Sequence, residues 1–294
     1  MGKTFAGLVI RIALFYCTAT AACHTVCAQP EVRFRQVSNT LIVVSMTVSD
    51  QGPFQFVLDT GADITILDPS LAAQLSLARL GHAQQTTLAG ARNLGVASLP
   101  ALAVGSARVQ NLPVMIQDLA ELRKMDPQIQ GIAGQDFLSH FNYLLDYRRH
   151  SIRIELGTEI EDAVDGDRVA TETGGHRMIL AAPAQSVGRA DLHLMLDSGA
   201  NSVVLTGAAS RQIALPVQGG GLEATTSGQV RMQVGRLRTL SLGSQQLHDV
   251  QVAVAPFDAD ERIGDGLLPA ALFQELYVNN REGFVVPNPH AKKH

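Results

Sequence analysis

Cysteine is confined to the first 27 residues of this 294-residue chain, at Cys17, Cys23 and Cys27. Past that point no thiol is available, which excludes disulfides and cysteine metal sites there, so the fold must rest on its own core. Long apolar runs are also missing. Beyond the N-terminal segment no stretch approaches the ~18 apolar residues of a membrane-spanning helix. Histidines such as His82, His140, His193 and His248 are scattered, and none falls into His-Glu-x-x-His or another ligand spacing. That pattern speaks against a zinc hydrolase and gives no metal site. No Gly-x-Ser-x-Gly elbow is present either. Acid–base chemistry is left to carboxylates.

Residues 1–28 read as a signal peptide. Lys3 supplies the positive start, Ile12 to Cys23 the apolar stretch, and Val26-Cys27-Ala28 the small residues that precede cleavage before Gln29. The expected location is periplasmic or secreted. A lipid anchor at Cys23, from Thr20-Ala21-Ala22-Cys23, is the rival reading. The precursor has 23 basic and 27 acidic residues; without Lys3 and Arg11 the balance is 21 to 27, a net charge of −6. Such mild acidity argues against nucleic acid or an anionic membrane as partner.

Two stretches dominate what is there. In Phe56-Val57-Leu58-Asp59-Thr60-Gly61-Ala62-Asp63-Ile64-Thr65-Ile66-Leu67 an apolar strand delivers an Asp onto a Thr-Gly turn and a second apolar strand leaves it. Leu194-Met195-Leu196-Asp197-Ser198-Gly199-Ala200-Asn201-Ser202-Val203-Val204-Leu205 repeats the pattern 138 residues later. The same offset links Leu41 to Ile179, Gly90 to Gly228, Leu99 to Leu237, and Val109, Leu112 and Val114 to Leu247, Val250 and Val252. One gap-free register over that length means two copies of one β-rich unit.

With an Asp on equivalent loops of two equivalent lobes, each half resembles a retropepsin, the single-lobe retroviral-type aspartic protease, and the whole is similar to the retropepsin-like proteases of bacteria. Gly131-Ile132-Ala133-Gly134-Gln135-Asp136-Phe137-Leu138 resembles the second signature of that family. Asp265 to Phe273 is its counterpart, with Pro269 where the family carries Gly. The resemblance implies an all-β fold with short helices, in two tandem lobes forming a bilobal, pepsin-like architecture. It implies a peptide hydrolase in which Asp59 and Asp197 share one proton and activate a water, with no metal or cofactor. Thr60, Gly61, Ser198 and Gly199 then support the active-site loops, and Asp63 and Asn201 touch the substrate backbone at the cleft edge. The flap falls on Thr86 to Ala91, which includes Gly90, and on Gly219 through Gly228. No aromatic sits in either.

The expected organisation is lobe one over 29–156, an acidic solvated linker over 157–168, lobe two over 169–289 and a frayed tail over 290–294. Asp68-Pro69 caps a helix over Ser70 to Leu75, and Thr206 caps Gly207 to Gln212. Another short helix is expected over Ser139 to Tyr143, with a strand over Ile152 to Leu156. Three functional readings stand: a monomeric endopeptidase with a dyad within one chain, a retropepsin-like peptide-binding domain without turnover, and a homodimer whose sites form between chains.

Overall fold

The computed structural model describes residues 31–292 except 39, 88–89, 175–176, 226–227 and 258–262. The expected all-β class and the two tandem lobes are what it contains. The signal-peptide segment, the flap residues Leu88 and Ala89, and His294 lie outside the described residues.

Lobe one grows from the hairpin of strands Leu41–Val48 and Gln51–Leu58, antiparallel from Ile42↔Leu58 to Met46↔Phe54. Gln51–Leu58 then pairs in parallel with Ile129–Ala133, which pairs antiparallel with Ile66–Leu67, itself parallel to Ala107–Ile116. Lobe two repeats every one of these steps. Arg189–Asp197 runs parallel to Gly266–Pro269, which lies antiparallel to Val203–Leu205, itself parallel to Gln245–Val254. Even the long hairpins keep the repeat: Leu99 faces Leu112 in lobe one and Leu237 faces Val250 in lobe two.

Alternation explains which face is buried. In Leu41–Val48 the side chains of Ile42, Val44, Met46 and Val48 enter the core, each 1% exposed or less. They join Phe56, Leu99 and Phe137 in a cluster that runs on through Leu180, Leu194 and Leu237 of lobe two. At about 1.5–3 kcal/mol per large apolar side chain buried, this cluster is what replaces disulfides.

The lobes are joined by a run of six strands within one thirteen-stranded sheet: Glu31–Arg33, Ser151–Glu155, Asn142–Asp146, Glu275–Asn279, Phe284–Pro287 and Val169–Gly174. Its middle is the antiparallel pair Tyr143↔Val278, Leu144↔Tyr277 and Leu145↔Leu276. One strand of that pair comes from each half, so the halves are hydrogen-bonded into one body.

The two capped helices form as expected. Asp68 accepts from Ser70 N (3.0 Å) ahead of Pro69–Gln74, and Thr206 accepts from Ala209 N (3.2 Å) ahead of Gly207–Gln212. The helix expected over Ser139 to Tyr143 is misplaced. The turn of helix is Gln135–Leu138, and Asn142–Asp146 is a fully buried strand. Pairing on both sides in the inter-lobe sheet outweighs a weak local helix preference there.

The segment 157–168 is more structured than a solvated linker. It forms the helix Glu159–Ala163 and the short strand Val164–Asp165. The carboxylate of buried Glu155 accepts from Ile160 N (2.6 Å) and Glu161 N (3.1 Å) at the start of that helix, and Ile160 packs with Leu144, Tyr277 and Phe284. The tail is not frayed through residue 292. His290–Ala291 pairs with Val164–Asp165, and Lys292 N donates to Ala163 O (3.0 Å). The linker helix packs on the inter-lobe sheet through Ile160 and the tail pairs with the linker, contacts invisible in either segment alone.

Candidate active site

Asp59 follows directly from strand Gln51–Leu58, and its N–H donates to Ala133 O (3.0 Å) on the neighbouring parallel strand. Asp197 ends strand Arg189–Asp197, beside Pro269. The same local topology thus aims each carboxyl at the interface of the lobes. There the two buried carboxyls lie close enough to be electrostatically coupled.

What holds them is a four-bond lattice between the loops. Thr60 Oγ1 donates to Leu196 O (2.9 Å) and accepts from Ser198 N (2.9 Å). Ser198 Oγ donates to Leu58 O (2.8 Å) and accepts from Thr60 N (3.0 Å). All four residues that supply these groups are buried, so each bond satisfies a donor or acceptor that would otherwise lack water. Each hydroxyl reaches into the other lobe, which fixes the separation of the two carboxylates.

Glycine is required at two places here because of close approach. A Cβ on Gly61 would stand 2.6 Å from Asp197 Cγ, and one on Gly199 would stand 3.0 Å from Asp59 Cγ. Without side chains, these residues bring backbone N–H groups onto the acids. Gly61 N donates to Asp59 Oδ1 (2.8 Å), while Gly199 N (2.7 Å) and Ala200 N (3.0 Å) donate to Asp197 Oδ1.

Electrostatics separate the two acids. Burial pushes the Asp59 carboxyl above its ordinary pKa of 3.8, against the pull of the Gly61 N–H. Burial pushes Asp197 well above 3.8, and the charge on Asp59 pushes it further in the same direction. Two close carboxylates in a dry site cannot both ionise, so they titrate as a pair. Both carboxyls are held above the ordinary carboxylate range by burial, and the proton they share belongs to the pair.

Asp63 is placed four residues beyond Asp59, but its carboxylate is already engaged. Arg177 of lobe two forks onto it, with Nε donating to Oδ1 at 2.6 Å and Nη2 donating to Oδ2. Asn201, in the equivalent position of lobe two, is exposed. Arg177 is the residue that sequence reasoning missed. Its partner lies 114 positions away, and no local pattern marks it. Gly90 and Gly228 each close the inner end of a hairpin, opposite Thr87 and Thr225.

Pro269 has a physical account. In lobe one Gly134 N donates to Thr65 Oγ1 (3.3 Å), and Thr65 also donates to Asp136 through N (2.9 Å) and Oγ1 (2.7 Å). In lobe two the three matching positions are Pro269, Val203 and Ala271, all without such groups. A proline lacking an N–H therefore leaves no acceptor stranded, and apolar packing replaces the polar bracket. The backbone behind Asp197 keeps its parallel pairing, Leu196↔Leu268 and Asp197↔Pro269.

Among the described residues no helix is long and apolar enough to cross a membrane, and no group of His, Cys, Asp and Glu could hold a metal ion.

Comparison with known proteins matches this arrangement. The family model described as aspartyl protease matches twice, over residues 44–137 and 182–270, once per lobe. A search of curated proteins found no match. Among solved structures, the crystal structure of a retropepsin-like aspartic protease from Rickettsia conorii matches at 17% identity and a TM-score of 0.32, covering 44% of this chain and 95% of that one.

Proposed function

Because the chain belongs to the aspartyl protease family, in a two-lobed retropepsin-like form, we propose that it is an endopeptidase whose single dyad is Asp59 and Asp197 of one chain. One observation carries this reading. The two loops bearing the acids are cross-bonded to each other by the Thr60 and Ser198 hydroxyls, so a complete pair of carboxyls is built within one polypeptide.

In this reading one carboxyl of the pair is ionised and the other protonated, and we assign these states to Asp59 and Asp197 in turn. Ionised Asp59 takes a proton from a water held between the carboxyls, and that water attacks the scissile carbonyl carbon. Protonated Asp197 donates a hydrogen bond to the carbonyl oxygen and stabilises the charge that develops there. Collapse of the tetrahedral intermediate breaks the C–N bond, Asp59 passes the proton it took from the water to the leaving nitrogen, and the pair regains its shared-proton state. Every proton in this sequence has a named carrier, and no covalent enzyme intermediate forms. The substrate is a polypeptide, extended between the lobes.

Cis pairing also makes the protein a functional monomer, since a second chain contributes nothing to the dyad. We further propose export, with cleavage before Gln29; the intact mass of the mature protein checks it, and a diacylated Cys23 would overturn it.

The reading is tested on a peptide library analysed by mass spectrometry across pH 3 to 8. Wild-type protein should generate new peptide termini, and Asp59→Asn should lower the rate at least ~10²-fold. A folded wild-type protein that cleaves nothing over that range would favour the peptide-binding alternative.

A further inference from the structure

Strand Arg79–Thr87 ends the eight-stranded sheet of lobe one. It pairs antiparallel with Gly90–Val104, from Gly81↔Val96 to Thr87↔Gly90, and among the described residues no strand lies against its other side. At ~3.3 Å per residue the strand offers a free edge about 30 Å long. Edge strands are ordinarily blunted by proline or lysine. The sequence Arg79-Leu80-Gly81-His82-Ala83-Gln84-Gln85-Thr86-Thr87 has neither, and a Cβ placed on Gly81 would meet nothing within 4 Å. A shift of register between Arg79 and Gly81 is its one irregularity.

The hairpin is held from behind. Ala83 and Leu94 pack on a cluster with Val57, Ile66 and Ile132, which also receives Ala62 and Ile64 of the loop after Asp59. Its backbone is therefore set before a partner arrives, which lowers the ordering cost of adding a strand. Leu80, 67% exposed, gives such a partner an apolar contact.

Charge says which partner fits. Between Asp68 and Asp118 the chain has no Asp or Glu, although its net charge is −4, and the hairpin carries Arg79, His82 and Arg92, all exposed. A second copy would lay one basic strand along another, which like charges disfavour. A polypeptide bearing Asp or Glu meets complementary charge instead. In lobe two the 138-residue offset matches this strand to Val217–Thr225. There the chain is divided into Val217–Gln218 and Leu222–Thr225, in different sheets, with Gly219, Gly220 and Gly221 between them.

We propose that the free edge of Arg79–Thr87 is a docking site for an extended, acidic segment of another polypeptide, which adds to the sheet as a further strand. Backbone hydrogen bonds hold the segment, and Arg79 and His82 select its charge. Docking there does not depend on the dyad, so it stands apart from the protease reading.

Binding is measured by fluorescence anisotropy on the Asp59→Asn protein, which spares the probe from cleavage and leaves the edge untouched. The probes are labelled peptides that match the nine residues of the strand in length and alternate threonine with glutamate, or threonine with lysine. The glutamate peptide should bind roughly tenfold or more tightly than the lysine peptide at about 50 mM salt, and the preference should fall below about threefold near ~0.5 M. Arg79→Glu combined with His82→Glu should abolish or reverse the preference; both side chains are exposed, so the core is untouched. N-methylation of every second residue of the glutamate peptide blocks the N–H groups along one edge, and should weaken binding at least ~10-fold in one of the two frames. Equal affinity for the two peptides, or a glutamate preference that survives the double reversal, overturns the proposal. Affinity kept in both N-methylated frames refutes strand addition and with it the proposal. Sedimentation of the protein as a dimer that the double reversal dissociates would give the edge to a second copy and overturn it as well.

Discussion

Thr60→Val removes one hydroxyl and little else, because the two side chains share a shape. Thr60 Oγ1 donates to Leu196 O and accepts from Ser198 N, so the substitution strands one carbonyl and one N–H in a buried place. Each stranded group costs about 1–3 kcal/mol, which sums to roughly 2–6 kcal/mol. A domain pair of this kind is expected to hold only about 5–15 kcal/mol in all. For a chain of this size about 2–4 °C of melting temperature accompanies each kcal/mol, so the midpoint should fall by roughly 5–20 °C. Ser198→Ala should cost as much, since Ser198 Oγ serves Leu58 O and Thr60 N in the same way. The double variant should lose less than the sum of the two, because the hydroxyls belong to one network. Thermal unfolding followed by circular dichroism at fixed pH, with peptide hydrolysis measured alongside, checks all three. A midpoint that moves by less than about 2 °C in Thr60→Val would show that the lattice does not hold the lobes together.

Other expectations concern the acids. Both carboxyls are pushed up in the folded protein, so the stability they contribute is complete below the unfolded carboxylate pKa and is lost as pH rises through the folded values. Asp197→Asn, which cannot ionise, should therefore match the wild type near pH 3 and exceed it in melting temperature near pH 7, while losing activity; a variant less stable at pH 7 refutes the assignment. Activity needs one carboxyl ionised and the other protonated, so raising both moves the pH window of activity upward from that of ordinary carboxyls. A hydroxyl at position 62 would donate to the charged Asp59 and lower its pKa, so Ala62→Thr should move the acidic limb of the pH–rate profile downward; an unmoved limb contradicts this. Gly61→Ala would force a methyl against Asp197 Cγ, and peptide hydrolysis should fall at least ~10²-fold with the protein still folded; near-normal activity would mean that the loops are looser than their bonding indicates.

The sequence made the fold largely legible because the fold is a repeat. One offset carried Leu99 and Leu112 onto Leu237 and Val250, and in the structure the two pairs face each other identically. Caps at Asp68 and Thr206 were equally readable, since a cap is a contact between near neighbours. What stayed hidden depends on distant pairing. Strand Asn142–Asp146 exists because Glu275–Asn279 lies beside it, and the linker helix is held by Glu155 and followed by a strand that pairs with the tail. Arg177 and Asp63 belong to different lobes and meet only across their interface. The meaning of Pro269 likewise appeared only when Val203 and Ala271 were seen beside it, three departures that remove one polar bracket as a unit. Across the site, the acids and their glycines could be found by motif, whereas the Arg177–Asp63 pair could not.

The central claim is that Asp59 and Asp197 of one chain form one catalytic dyad. Purified Asp59→Asn and Asp197→Asn proteins, assayed on a cleavable peptide singly and then mixed in equal amounts, test it most directly. The account predicts no hydrolysis by either variant and none by the mixture, since every chain carries one broken dyad and lobes joined through a shared sheet do not exchange. Substantial hydrolysis by either single variant, or activity regained on mixing, would show that the site forms between chains or elsewhere.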